Sequence, residues 1–233
     1  MGTTEQTAEV VDLSETSIRE LNQRLHDAAD GGPQAWRITH PGGLHAIAAG
    51  INAPLEIDID GHVGYYCVGM NKEANVRIHG SAGVGLAENI MSGTVIVDGD
   101  ASQSAAATGR GGLVVVRGNA AARCGISMKG VNIVVEGNVG HLSAFMAQKG
   151  ALVVCGDAGE ALGDSIYETH IYVRGSVAEL GADCIEKDFK EFHTAELTGL
   201  LAEAGVDADP ADFKRYGSAR ELYNFNIDNA DAY

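Results

Sequence analysis

The sequence predicts an all-β solenoid, a single-stranded right-handed parallel β-helix of about seven 19-residue coils with α-helical extensions at both ends. Three observations predict it. A glycine recurs every 19 residues at Gly61, Gly80, Gly99, Gly118, Gly137, Gly156 and Gly175, so one structural unit is repeated seven times. Positions four and two before each glycine are apolar and mostly β-branched, from Ile57 and Ile59 through Val114 and Val116 to Ile171 and Val173, the period-two signature of a strand. Two residues after each glycine stands a small apolar side chain, as at Val63, Ala82, Ala101 and Ala120, so the extended chain resumes beyond the turn.

A unit of this size with one short strand cannot bury its own apolar face and must stack on copies of itself. Crossovers between parallel strands are right-handed in nearly all cases, which sets the expected hand. A 19-residue stride does not fit a hexapeptide left-handed helix, and the leucine and asparagine consensus of leucine-rich repeats is absent. Of 31 glycines, 22 lie between Gly61 and Gly181, where tight corners demand positive φ or close backbone approach. Pro33, Pro41, Pro54 and Pro210 all fall outside the repeats, as a ladder that uses every backbone N–H requires.

In chain order, residues 1–44 form an N-terminal extension with one helix. Ser17 and Glu20 make a capping-box pattern, Ile18, Leu21 and Leu25 share a face, and Gly31, Gly32 and Pro33 stop the helix near Asp30. Residues 45–188 are the coils. Residues 189–233 read as a helical extension: one helix over 194–204 with Leu197, Leu200 and Leu201 apolar and Gly205 ending it, a short helix opened by Asp209 and Pro210 that carries Phe213 and Tyr216, and a last one over 218–225. Both extensions are expected to cap the solenoid, whose end coils otherwise expose core and unpaired strand edges.

The net charge is −16, and the acids concentrate in the two extensions. Nucleic acid and anionic membrane are therefore poor partners, because phosphate recognition needs a basic footprint. No apolar run approaches a membrane span, and the N-terminus lacks the basic and apolar regions of an export signal, so a cytoplasmic location is expected. Cys67, Cys124, Cys155 and Cys184 form no CxxC pair and read as reduced core residues.

The position three before each glycine changes from Asp58 and Arg77 to Ile96, Val115, Val134, Val153 and Tyr172, an outward apolar ridge that something must cover. A partner protein is expected on at least part of it, with the chain's own terminal helix as the competing cover. Asp98, Arg117 and Glu136, one before successive glycines, read as an alternating charge ladder that favours correct register. Lys72, Arg110, Lys129 and Lys149 make a basic row suited to an acidic partner face or an anionic ligand. The histidines scatter over different offsets, so no metal triad is expected, and no serine or cysteine is expected opposite a histidine one coil away. The TGRGG segment lacks the lysine and following helix of a phosphate loop.

The segments GSAGVGLAENIMSGTVIVDGDA, GRGGLVVVRGNAAARCGISMKG and GNVGHLSAFMAQKGALVVCGDAGEALGDSIY resemble the C-terminal β-helix domain of the large subunit of glutamate synthase. They are also similar to the β-helix subunit of formylmethanofuran dehydrogenase. With YVRGSVAELGAD leading to SARELYNF, the chain looks most like the B subunit of N-methylglutamate synthase. That resemblance implies a non-catalytic structural and channelling subunit. It would link an amidotransferase-like subunit to a synthase subunit that holds FMN and an iron–sulfur cluster, in a complex converting methylamine and glutamate to N-methylglutamate and ammonia. No catalytic, cofactor-binding or metal-binding residue of the family maps onto this chain. The third residue after the anchor glycine departs from the family's glycine at Ser102, Ala121 and Ala178, which points to wider corners there. A stand-alone β-helix enzyme would gather carboxylates, bases or histidines on neighbouring coils, and no such cluster is legible.

Overall fold

In the computed structural model, which describes residues 8–220, one eleven-stranded sheet runs the length of the protein. Its repeated strands are β3 (Glu56–Asp60), β4 (Asn75–Ile78), β5 (Thr94–Val97), β6 (Leu113–Val116), β7 (Lys129–Val135), β8 (Lys149–Val154) and β9 (His170–Val173). All pair in parallel with the register of the stride: Ile59 faces Ile78, then Val97, Val116, Val135, Val154 and Val173. The small residues beyond each glycine form a second parallel column of single bridges, Val63 to Ala82, Ala101, Ala120, Val139, Ala158 and Val177. The chain is a parallel β-helix.

The sheet extends past the repeats in both directions. β1 (Glu9–Asp12) and β2 (Ala35–Thr39) precede β3 in parallel order, so the N-terminal extension adds two strands as well as helix α1 (Ile18–Asp27). Ser17 caps α1 by accepting the Glu20 N–H, and Leu21 and Leu25 plug the open end of the inner core. At the other end β10 (Cys184–Lys187) and β11 (Lys214–Ser218) extend the sheet, with β11 antiparallel between β9 and β10, which forms its edge. The expected short helix after Pro210 is one 3-10 turn, Pro210–Asp212; Phe213 follows it and Tyr216 lies in β11. The unpaired edge of β9 offers a ladder of backbone partners that outweighs the weak local preference of this segment. The helix expected over 218–225 begins on the last residue of that strand, and 221–225 lie outside the described residues.

Two apolar clusters hold the molecule together. The larger fills the coil interior with the inward β-branched column, Leu86, Ile90, Cys124, Met128 and their neighbours. The smaller lies outside the sheet, between the outward side chains of β6 to β9 and helix α2 (Glu191–Ala204), which contributes Leu197, Leu200, Leu201 and Ala204. β6 is accordingly buried on both faces, whereas β3 and β4 alternate exposed and buried.

The anchor glycines owe their identity to close approach. Gly99, Gly118, Gly137, Gly156 and Gly175 each donate their N–H to the carbonyl of the preceding anchor at 2.9–3.0 Å. A Cβ on Gly137 would stand 2.7 Å from the Gly118 oxygen. Of the seven anchors Gly61 alone has positive φ. The left-handed conformation falls instead on ordinary residues in the opposite corner, such as Tyr66, Val68 and Met70 at φ 56°, 57° and 58°. The N–H groups of these residues run to both neighbouring coils: Tyr66 donates to Val84, Val68 to Ile47 and Met70 to Glu88. Each such residue costs roughly 1–2 kcal/mol, offset by a backbone whose hydrogen bonds run coil to coil.

Candidate functional site

The outward ridge is closed by the chain itself. Val115, Val134, Val153 and Tyr172 are fully buried under α2 and Phe213, and Ile96 is half-buried at the edge of the cover. This overturns the expectation of a partner on those four residues. Five stacked apolar side chains need burial, and a helix tethered to the last coil brings Leu197, Leu200 and Leu201 to them without the entropy cost of association. The helix is pinned at Glu196, which accepts a hydrogen bond from the Tyr172 hydroxyl at 2.5 Å and pairs with His170 Nδ1 at 2.7 Å. Burial raises the Glu196 carboxyl, yet these two partners outweigh it and leave it below its ordinary value.

The corner beside the anchor glycines carries an unanticipated polar column. His62, Ser81, Asp100, Asn119, Asn138 and Asp157 each accept, through a side-chain atom, the backbone N–H of the residue in register on the next coil, at 2.7–3.2 Å. The column ends at Ser176. It also corrects the expectation that no serine stands opposite a histidine: His62 and Ser81 occupy equivalent corners. His62 Nδ1, however, accepts the Ser81 main-chain N–H, and Ser81 Oγ accepts from Asp100, so neither is arranged as base and nucleophile.

The expected charge ladder divides. Arg117 pairs with Glu136 one coil on, while Asp98 is held by Arg77 at 3.0 Å and by His79 at 2.9 Å. His79 also meets Asp58 at 2.8 Å, bridging carboxylates two coils apart. The basic row behaves as a surface feature: Lys72, Arg110, Lys129 and Lys149 are exposed, and Lys129 lies beside Lys149 across β7 and β8. None of the four forms an ion pair among the described residues.

The cysteines sit as packing residues. Cys67 and Cys124 are fully buried in the coil interior, and burial drives both thiols up, Cys124 to about 12. Among the described residues no three His, Cys, Asp or Glu side chains are grouped to hold a metal ion, and no helix is long and apolar enough to cross a membrane.

A cavity of about 190 Å³ opens where β9, β10, β11 and the start of α2 meet. Thr169, Lys187, His193, Arg215 and Arg220 line it. Lys187 Nζ donates to the Ser218 carbonyl at 2.5 Å, Arg215 Nε to the Asp188 carbonyl at 3.0 Å, and Arg220 pairs with Glu168 at 3.1 Å. Burial lowers the Lys187 ammonium, and the charges of Arg215 and Arg220 lower it further. His193, itself buried, is brought down to about 4 by burial, then by Arg215 and His170, so its imidazole is neutral at physiological pH. Its Nδ1 accepts the Lys190 N–H, which leaves the ring proton on Nε2.

The chain is 60% identical to protein GlxC of Rhizobium meliloti (strain 1021) over 226 residues, spanning 96% of this chain and 99% of the relative. The chain belongs to the GlxC family. No family model matches it, and no solved structure does. Because the match to GlxC spans nearly the full length of both chains, the capping segments and the polar column lie within the shared span as well as the coils.

In this GlxC-family chain, sequence reasoning placed the glycines, the ridge and the basic row on separate faces, and the register keeps them apart. It missed the cationic cavity. The cavity's residues come from three separate segments of the chain, and only the antiparallel return of β11 brings Arg215 and Arg220 to Lys187. The polar column was legible as His, Ser, Asp, Asn, Asn, Asp, Ser one residue after each anchor, a run of hydrogen-bond acceptors that stride counting could have found.

Proposed function

We propose that the chain is a non-catalytic structural subunit of a glutamate-synthase-like complex, with N-methylglutamate synthase as the specific assignment. In that role it links an amidotransferase-like subunit to a synthase subunit that holds FMN and an iron–sulfur cluster, and it helps shape the route between them. The observation that supports this best is the glycine-anchored coil itself, whose segments resemble the glutamate synthase β-helix domain and which here forms one uninterrupted solenoid. With Leu21 and Leu25 over the first coils and α2 over the outer face of β6 to β9, the remaining lateral faces are open to partners, and the exposed basic row is the natural contact for an acidic partner surface.

Copurification tests the assignment. Tagged and expressed with its native gene cluster, the chain should bring down a flavoprotein containing FMN and iron, together with an amidotransferase-like chain, and the complex should form N-methylglutamate from methylamine and glutamate. A chain that elutes alone defeats the reading. Activity with glutamine and not methylamine would assign a glutamine-dependent glutamate-synthase-like complex instead, and molybdenum or tungsten in the complex would assign the β-helix subunit of a formylmethanofuran dehydrogenase-like enzyme.

A further inference from the structure

A cavity lined by several cations lies in a chain of net charge −16, where the closing segments meet the last repeat strand. Three features meet there. Lys187 and Arg215 are half-buried and buried, and the hydrogen bonds described for them end on main-chain carbonyls, which are weaker counterparts than a carboxylate. Thr169, 1% exposed, lines the same cavity, and its Oγ1 has no hydrogen-bond partner among the described residues. Native structures rarely leave a buried hydroxyl unpaired, so such a group marks a missing partner. His193, neutral and with its proton on Nε2, adds a ring donor to the wall.

We propose that this cavity binds a small oxyanion, a carboxylate or a phosphate, held by Lys187, Arg215 and the Thr169 hydroxyl with His193 and Arg220 beside it. The inner wall offers mainly donors: an ammonium, a guanidinium able to grip two oxygens at once, and a hydroxyl that can give a hydrogen bond. Glu168 pairs with Arg220 at the rim, and although its charge and that of Asp183 also act on Lys187, burial and the two guanidinium groups outweigh them. Both inner cations have their acidity raised by burial, with Arg215 and Arg220 adding to the effect on Lys187, and an anion in their midst would reverse it. Anion binding here does not depend on the assembly proposed above.

Titration calorimetry of the full-length chain with sodium phosphate and, separately, sodium succinate, at ionic strength held constant with sodium chloride, tests it. One of the two should bind saturably with Kd below about 1 mM. Lys187→Gln should weaken that binding about tenfold or more, the loss expected for one charge-assisted hydrogen bond. Gly217→Ala checks the location without removing a charge. Its methyl would stand 3.4 Å from Lys187 Cδ and 3.6 Å from Arg215 Nη1, ordinary contacts that narrow the cavity at no strain, so binding should fall while the melting temperature holds. The His193 ring, followed by NMR, should titrate higher in the presence of the bound anion. Binding of phosphate alone assigns a phosphate group, and of succinate alone a carboxylate. The proposal is overturned if neither probe binds saturably up to about 10 mM, or if both variants bind as the parent does.

Discussion

The hydroxyl of Tyr172, on the last parallel strand, donates a 2.5 Å hydrogen bond to Glu196, on the helix that covers it. Tyr172 ends the ridge expected to meet a partner, and this bond shows how the ridge is closed from within. Substituting Val134→Lys or Val115→Lys places an ammonium in the apolar layer between sheet and helix. Stability should drop by about 3 kcal/mol or more, because a buried unpaired charge must be solvated or the helix displaced. Thermal denaturation of the isolated chain checks this. Unchanged melting with lost assembly would return the ridge to a partner.

The anchor glycines and the helix glycine should respond with opposite sign. Gly137→Ala puts a Cβ 2.5 Å from Asn119 Oδ1 and 2.7 Å from the Gly118 oxygen, so the coils must separate locally, at a cost of about 2 kcal/mol or more. Gly199 lies in α2 with nothing within 4 Å of an added Cβ, so Gly199→Ala should stabilise by about 0.5–1 kcal/mol through helix propensity. Urea unfolding midpoints of the two variants give the comparison.

Within the polar column, Asn138 accepts the Asp157 N–H at 2.7 Å. Asn138→Ala should cost about 1 kcal/mol, since the N–H is near the surface and water replaces part of the bond. Hydrogen exchange of the Asp157 amide should accelerate in the variant. If it does not, the side chain is not what protects that amide.

Stability should depend on pH through His79. Burial lowers its pKa, but hydrogen bonds to Asp58 and Asp98 outweigh burial and raise it above the ordinary histidine value. A group whose folded pKa is raised contributes stability that is fully present below the unfolded value, near 6.5, and is lost as pH rises through the folded value. Melting temperature should therefore fall as pH is raised from about 6 to about 8, and His79→Gln should flatten that slope. Because the imidazole is partly exposed, the effect should shrink in high salt.

How far the sequence speaks differs from element to element. The strands from Ile57 to Val173 were legible because each coil has the same length, so one misjudged residue would have broken all the others. α1 was legible from the Ser17 cap and the spacing of Leu21 and Leu25. β1, β2 and β11 were not, for they lie outside the stride and their backbone partners are supplied by distant segments. α2 was found, but it starts at Glu191 rather than near 194, since Lys190 and His193 form a cap that has no serine, threonine or aspartate to announce it.

What the sequence determined by itself is the solenoid: a 19-residue period, an alternating inward column and a glycine where coils touch are local facts that repetition makes unambiguous. Only the tertiary structure decided which faces stay open. Whether Val134 meets solvent, a partner or Leu197, and whether Arg215 comes to Lys187, depends on where the closing segments fold back. That path is set by competition among exposed apolar surface, an unpaired strand edge and buried charge, and no stretch of sequence carries those terms alone.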